Sequence, residues 1–295
     1  MHTVHQSRGD KLFDAAGFLI LLVALVTVAY PLYFIVIASF SNPSAVSLGE
    51  VILLPKGITL EGYSRIVAQS DLWIGYRNTI AYTIIGTFLN VALTVTGAYA
   101  LSRKDLVGRN VFMGFIAFTM FFSGGLIPTY LLIKGLGLYN TFWVMVIPGA
   151  ISVWNLIIAR TYFQTSLPEE LWEAAVMDGC SNFQYFFKVV LPLSQAIIAV
   201  LVLFYAVGHW NEFFNGLIYL KDRSRYPLQL ILRDILIQTQ ISQDQVQNEN
   251  ANKLAEAANL MKYGIIIVSS LPVLILYPFI QKYFVKGVMV GAIKG

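Results

Sequence analysis

Six long apolar stretches, separated by short polar segments, set the pattern of this chain. Ala15 to Ala38, Ile80 to Leu101, Val111 to Ile133, Phe142 to Tyr162, Ala196 to Leu220 and Tyr263 to Phe284 each match the roughly 20 helical residues that cross a hydrocarbon core. The pattern predicts an all-α integral membrane fold with six transmembrane helices. Residues 1–14 and 285–295 are expected as tails, and residues 15–284 as one transmembrane domain with polar loops at 163–195 and 221–262. The first stretch is too long for the core of a signal peptide, and no small-x-small cleavage site follows it directly. The third ends in Ser123-Gly124-Gly125-Leu126-Ile127-Pro128, Pro148 sits inside the fourth, and Pro272 and Pro278 sit inside the sixth. These positions are expected to kink helices, because neighbouring helices can satisfy the freed backbone groups.

Composition narrows the class. Hydrophobic residues make up 57% of the chain and charged residues only 12%, too few to coat a soluble domain of this size. The formal charge of +4 is carried by residues scattered among the polar segments, not gathered into a basic face, which argues against nucleic acid as a partner. Cys180 is the sole cysteine, so no intrachain disulfide and no cysteine metal-ligand spacing exists. Six crossings place both termini on one side, but charge does not say which. Arg8, Lys11, Arg103, Lys104, Arg109, Arg160, Lys188, Lys282, Lys286 and Lys294 fall on one side, and the other half of the 20 basic residues on the opposite side.

The loop after the fourth stretch is the most specific part of the sequence. In Ser166-Leu167-Pro168-Glu169-Glu170-Leu171-Trp172-Glu173-Ala174-Ala175-Val176-Met177-Asp178-Gly179, Ser166 and Glu169 match a capping box, Pro168 suits a first turn and Gly179 a left-handed stop. A short helix is predicted, apolar along Leu167, Leu171, Trp172, Ala174 and Ala175 and acidic along Glu169, Glu170, Glu173 and Asp178. A second short helix, Phe183 to Val190, ends at Leu191-Pro192. Two amphipathic helices outside the membrane form an elbow able to dock into a partner's groove; the plainer reading is a helix lying on the membrane surface.

Glu173-Ala174-Ala175, Gly179 after three residues, and Val189-Val190-Leu191-Pro192 after nine more resemble the EAA signature of bacterial ATP-binding-cassette importer permeases, departing only in Val189 for isoleucine. Ala98-Tyr99-Ala100-Leu101-Ser102-Arg103, Trp210-Asn211-Glu212-Phe213-Phe214 and the tail around Lys286-Gly287 resemble the carbohydrate-uptake members related to the second membrane subunit of the maltose importer. Within that group the chain is most similar to permeases for complex oligosaccharides such as uronate or rhamnogalacturonan fragments. The resemblance implies that Glu173, Ala174, Ala175, Asp178, Gly179, Leu191 and Pro192 couple to cytoplasmic nucleotide-binding subunits. It implies ATP and magnesium on that partner and no cofactor on this chain. It further implies a homologous permease subunit wrapped by the first helix, an extracytoplasmic solute-binding protein, and residence in the bacterial inner membrane.

The residues agree on one point independently. A phosphate-cradling Gly-x4-Gly-Lys-Ser/Thr string is absent, so the chain is expected not to be an enzyme and to rely on a separate ATPase. Other features stay two-sided. His209, Asn211, Glu212 and Asn215 form a polar cluster on the fifth stretch, where an ionisable group is costly; they either line a substrate path or bond neighbouring helices. Tyr226-Pro227-Leu228, in the outer segment Lys221 to Lys262, resembles the loop with which the family engages its binding protein. The Gln/Asn-rich run Gln238 to Asn252 reads equally as a solvated loop. Arg223, Arg225 and Arg233 either favour an anionic partner or are simply solvated. Trp143, Trp154, Tyr130, Tyr139 and Tyr162 are expected as interfacial anchors. The competing classes are an ion-gradient-driven secondary transporter, which would want matched discontinuous helices with paired charges, and an intramembrane enzyme, which would want partners for His209.

Overall fold

The computed structural model describes residues 8–244, 261–275 and 278. The described residues form helices and connecting turns, with no strand among them. In chain order the helices are α1 (Arg8–Ser39), α2 (Pro43–Ser47), α3 (Glu61–Ala68), α4 (Ser70–Ser102), α5 (Arg109–Phe121), α6 (Leu126–Gly135), α7 (Val153–Ser166), α8 (Glu169–Met177), α9 (Asn182–Leu193), α10 (Gln195–Trp210), α11 (Phe214–Tyr219), α12 (Leu228–Asp244) and α13 (Met261–Ile275).

Two of these, α1 and α4, are long and apolar enough to cross a membrane as single helices. The third predicted stretch is instead two helices, α5 and α6, bent by 113° at the Gly124-Gly125 break. Gly125 has φ +83, and Pro128 cannot donate into the turn before it, so the helix cannot run through. The fourth stretch is likewise not one helix. Phe142–Met145 is a 3₁₀ turn, an irregular segment around Pro148 and Gly149 follows, and α7 starts only at Val153, capped by the Ser152 hydroxyl. The fifth is α10 and α11, parted at Asn211–Phe213. The sixth is helical from Met261 to Ile275, and most of its remainder and the 285–295 tail lie outside the described residues. Of the polar outer segment, Leu228–Asp244 is helix, which departs from the solvated-loop reading of Gln238 onward as far as 244; its continuation from 245 lies outside the described residues.

The chain divides into two compact units. Among the described residues, one comprises 8–69, 234–244 and 261–270. Its core holds Ile37, Ala38, Val51, Ile66 and Ile265, and Tyr63 donates to the Ser39 hydroxyl at 2.8 Å. Gly264 of α13 lies against Ile66 with no room for a methyl group, and Tyr263 meets Phe34 edge to face at 5.9 Å. Most of α1 is free of this core: Phe18, Leu21, Leu25 and Leu32 are all exposed, as a helix facing lipid or another subunit requires.

The other unit comprises, among the described residues, Ser70–Arg233 with 271–275 and 278. It is organised on α4, whose buried residues Leu72, Gly75, Thr79, Tyr82, Gly86, Asn90, Thr94, Ala98 and Leu101 recur every three or four positions and so make one stripe. Small and hydroxyl-bearing residues dominate that stripe, which lets α7 and α10 approach closely and gives them hydrogen-bond partners. Val95, Ala98, Leu156, Ala159, Phe163, Val190, Ile197, Leu201 and Tyr205 pack together where α4, α7, α9 and α10 meet. Thr94 and Tyr205 share a hydroxyl hydrogen bond of 2.6 Å, and Tyr205 also accepts the Ser152 N–H at 3.0 Å. A second cluster, Tyr82, Ile133, Val144, Met145, Val146, Tyr219 and Leu220, fills the opposite end.

Candidate coupling hairpin and polar cluster

The hairpin α8–α9 begins where α7 stops. Ser166 is the last residue of α7, and Pro168 flanks α8 without any side-chain cap, so the expected Ser166–Glu169 capping box does not form. The box sits one helix later: the Ser181 hydroxyl accepts the Gln184 N–H at 3.3 Å while Gln184 Oε1 accepts the Ser181 N–H at 3.1 Å. The spacing Ser181-x-x-Gln184 fits the same capping rule as Ser166-x-x-Glu169, and the two are not distinguished by local sequence.

The stop at Gly179 is as expected. Its φ is +74, its N–H reaches Val176 O at 2.9 Å, and the Cys180 N–H reaches Ala175 O at 2.9 Å. These paired bonds are a Schellman closure, which satisfies the last carbonyls of α8 and reverses the chain into α9. Within α9, Phe186–Val190 is a π turn. Pro192 supplies no N–H for the Lys188 carbonyl and its ring crowds that carbonyl, so the preceding turn widens. Leu191-Pro192 thus ends the hairpin at a defined bend: α9 and α10 meet at 78°.

The apolar side of α8 is narrower than expected. Trp172 and Ala175, with Leu167 before them and Cys180, Val189 and Leu191 after, pack half-buried on the core. Leu171 and Ala174 face outward beside Glu170, Glu173, Val176, Asp178 and Gly179, and Met177 is 87% exposed. Phe183 and Phe187, whose rings meet tilted with centroids 5.0 Å apart on α9, are exposed too. The hairpin therefore presents apolar side chains with carboxylates at their edges, and none of its α8 residues is buried.

Basic residues at the end of α4 hold the inner side. Arg160 donates to Leu101 O at 3.0 Å, a cation on the exposed carbonyls of a helix C-terminus. Arg103 binds both oxygens of Asp105 and lies over the Trp172 ring, 4.0 Å from its centroid. The Arg103 hydrogen bonds hold the Asp105 carboxyl below its usual range. Burial is the largest single influence on Arg103 and opposes its charge, but the hydrogen bond and charge of Asp105 together with Tyr99 and Tyr185 outweigh it and raise the guanidinium further. Lys104 pairs with Glu169. From the sequence, Trp172 is expected only on the apolar side of α8 and Arg103 only as the end of the Ala98–Arg103 motif and a loop charge, and nothing local links them to Asp105 or Tyr185.

The polar cluster on α10 comes apart. His209 turns to α4, where Nε2 lies 3.0 Å from Asn90 Nδ2. Asn211 Nδ2 donates to Val207 O of its own helix at 2.9 Å. Glu212 Oε1 accepts the Asn215 N–H at 2.9 Å, as a side chain does at a helix start, and so orders α11. Glu212→Gln keeps an oxygen acceptor and is expected to leave thermal stability nearly unchanged; Glu212→Ala is expected to cost about 1 kcal/mol, read by melting of the purified protein.

Tyr226-Pro227-Leu228 is not a presented surface. Pro227 and Leu228 are buried, the Leu228 N–H donates to Thr79 Oγ1 at 2.8 Å, and Asn78 Nδ2 donates to Tyr226 O at 3.0 Å. The hydroxyl of Thr79 and the amide of Asn78 on α4 thus anchor this segment, with Tyr226 left half-buried. The exposed part is the neighbouring turn Arg223–Arg225, where Arg223 pairs with Asp71 at 2.7 Å. Trp143 and Trp154 are exposed, and Tyr130 stacks with Tyr219. No group of three metal-ligating side chains occurs among the described residues.

Comparison with known proteins places these features. A solved structure, a bacterial ABC transporter involved in the import of the acidic polysaccharide alginate, has a chain that matches with a TM-score of 0.86 and 35% identity, covering 96% of this chain and 100% of that one. Protein LplC of Bacillus subtilis is 36% identical over 295 residues, covering 100% of this chain and 99% of its own. The polygalacturonan/rhamnogalacturonan transport system permease protein YtcP of the same organism is 38% identical over 286 residues, covering 97% and 99%. Residues 72–290 match the family described as binding-protein-dependent transport system inner membrane component. The chain, with its outward-facing EAA hairpin and its permease fold, belongs to that family of ABC importer membrane subunits.

Proposed function

We propose that this chain is one of two permease subunits of a bacterial cytoplasmic-membrane importer that carries an oligosaccharide containing uronate residues. The observation that carries the coupling half of this reading is the hairpin itself. It has a Schellman-closed helix with Glu173 and Ala174 at the surface, apolar side chains exposed at Leu171, Val176, Met177 and Phe183, and carboxylates around them. An apolar patch with a polar rim, outside any apolar span, is built to be covered by a protein. The partner in this reading is a cytoplasmic ATPase that holds ATP and magnesium; a solute-binding protein delivers the sugar on the opposite face. Orientation follows: the hairpin and both termini are cytoplasmic. The six crossings are α1, α4, the broken segments 111–133, 142–162 and 196–220, and the segment beginning with α13. Non-helical backbone at such breaks is tolerated where it lines a cavity or is buried in protein.

The substrate half rests on two of the similar proteins, a polygalacturonan/rhamnogalacturonan transport permease and a chain of an importer of the acidic polysaccharide alginate, since polygalacturonan and alginate are both polyuronates. In vesicles holding this chain, its partner permease and the ATPase, with the binding protein outside, ATP-dependent uptake of a labelled oligogalacturonate is expected, unaffected when ion gradients are collapsed. A neutral oligosaccharide of equal length should compete poorly. Uptake that follows an ion gradient without ATP would favour the secondary-transporter reading, and equal competition would remove the acidic substrate. A photo-crosslinker at Ala174 is expected to capture the ATPase, whereas one at Ala175, half-buried under the helix, is expected not to.

A further inference from the structure

We infer that Arg103 is a positioning residue for transport: it is the fastener through which displacement of the α8 hairpin reaches α4. This rests on reading α8 as the ATPase-docking helix.

Arg103 follows directly on the last residue of α4, and its side chain is only 18% exposed. Nε and one terminal nitrogen donate to the two Asp105 oxygens at 3.0 and 2.9 Å, which fixes the plane of the guanidinium. That plane lies 4.0 Å from the centre of the Trp172 ring on α8. Trp172 in turn meets Tyr185 of α9 edge to face at 5.0 Å. One cation therefore joins the end of α4, the turn after it and both helices of the hairpin.

α9 is seated in the core against α4 through Tyr185, Phe186 and Val190, whereas the attachments of α8 itself are few. Lys104–Glu169 is exposed on both sides, 71% and 48%, and a pair so placed adds little. No α8 residue is fully buried, and a cavity of about 420 Å³ lies beneath the helix, lined among others by Tyr99, Phe163, Leu167, Trp172 and Tyr185. With open space beside α8 and only Trp172 and Ala175 of it half-buried on the core, its motion is transmitted through few contacts. Arg103 on Trp172 is the point that is shielded, charge-assisted and geometrically fixed. From there α4 continues into Thr94 and Asn90, the residues that hold Tyr205 and His209 of α10, so a push on Trp172 arrives at the helices of the bundle.

The test uses the reconstituted importer with its ATPase and binding protein, and reads solute moved per ATP hydrolysed. Arg103→Gln removes the charge and Trp172→Leu the ring; Trp172→Phe keeps an aromatic face. In the first two, the ATPase is expected to remain in the complex and to keep hydrolysing, while solute per ATP falls about tenfold, the equivalent of losing one shielded cation–π contact. Trp172→Phe is expected to restore most of the ratio. If Arg103→Gln fails to accumulate, the Trp172→Leu and Trp172→Phe pair carries the test alone. An unchanged ratio in the variants that assemble overturns the proposal, as does a loss of transport that follows loss of the ATPase from the complex, since Arg103 would then only shape the docking site. Failure of the Ala174 crosslink in the unmodified importer is a different result: it removes the docking reading itself.

Discussion

Gly179→Leu is expected to reduce uptake by more than about tenfold while the protein still inserts and accumulates normally, because two separable effects meet at that residue. Gly179 sits at φ +74, and a side chain in the left-handed region costs roughly 1–2 kcal/mol. That strain weakens the closure in which Cys180 N–H bonds Ala175 O. A Cβ there would meet nothing within 4 Å in this chain, so a bulky side chain clashes with no neighbour of its own and projects into whatever covers the hairpin. Gly179→Ala carries the backbone strain with almost no bulk. The comparison of the two isolates docking: alanine should lose part of the activity and leucine nearly all of it. Membrane-fraction immunoblots and ATP-driven uptake would be measured side by side, and leucine transporting as well as alanine would show that no partner seats on this turn.

The hairpin was the most legible part of the chain because its punctuation is local. A glycine stop, a proline bend and small residues at fixed spacing act within a few residues of themselves, so their consequences can be read without knowing the rest of the fold. The caps illustrate the limit of that reading. Both Ser166-x-x-Glu169 and Ser181-x-x-Gln184 fit the same rule, and only the continuation of α7 through Ser166 decides between them. The apolar stretches identified the membrane class, yet four of six are not single helices where described, or run beyond the described residues. Hydropathy measures what a segment can be dissolved in, not whether its backbone continues through Gly124-Gly125 or Pro148. Tertiary assignments were the least legible. Pro227 and Leu228 lie in a polar-looking segment, and nothing local announces that Thr79, nearly 150 positions away, takes the Leu228 N–H. His209 and Glu212 were grouped by proximity in sequence; in the fold one turns to Asn90 and the other orders its own following helix.

That separation makes His209 the place for the second large effect. Gly86 and Asn90 are one helical turn apart on the buried stripe of α4, and His209 occupies the space that the missing Gly86 side chain leaves. A Cβ at residue 86 would stand 2.3 Å from His209 Nε2, closer than any contact allows, so Gly86→Ala must drive the imidazole away and break its 3.0 Å approach to Asn90. Asn90 is 3% exposed, and losing its partner leaves a buried amide unsatisfied. Overpacking and the lost bond together are expected to destabilise the α4–α10 interface by about 2–4 kcal/mol, read as a lower melting temperature in detergent. His209→Ala alone is expected to cost about 1–3 kcal/mol, from the unpaired amide. The double variant is where the argument bites: with the ring gone, the new methyl group enters vacated space, so Gly86→Ala in the His209→Ala background should be nearly neutral. Additive losses would mean that residue 86 is crowded by something other than His209, and that the Asn90 amide does not hold these two helices together.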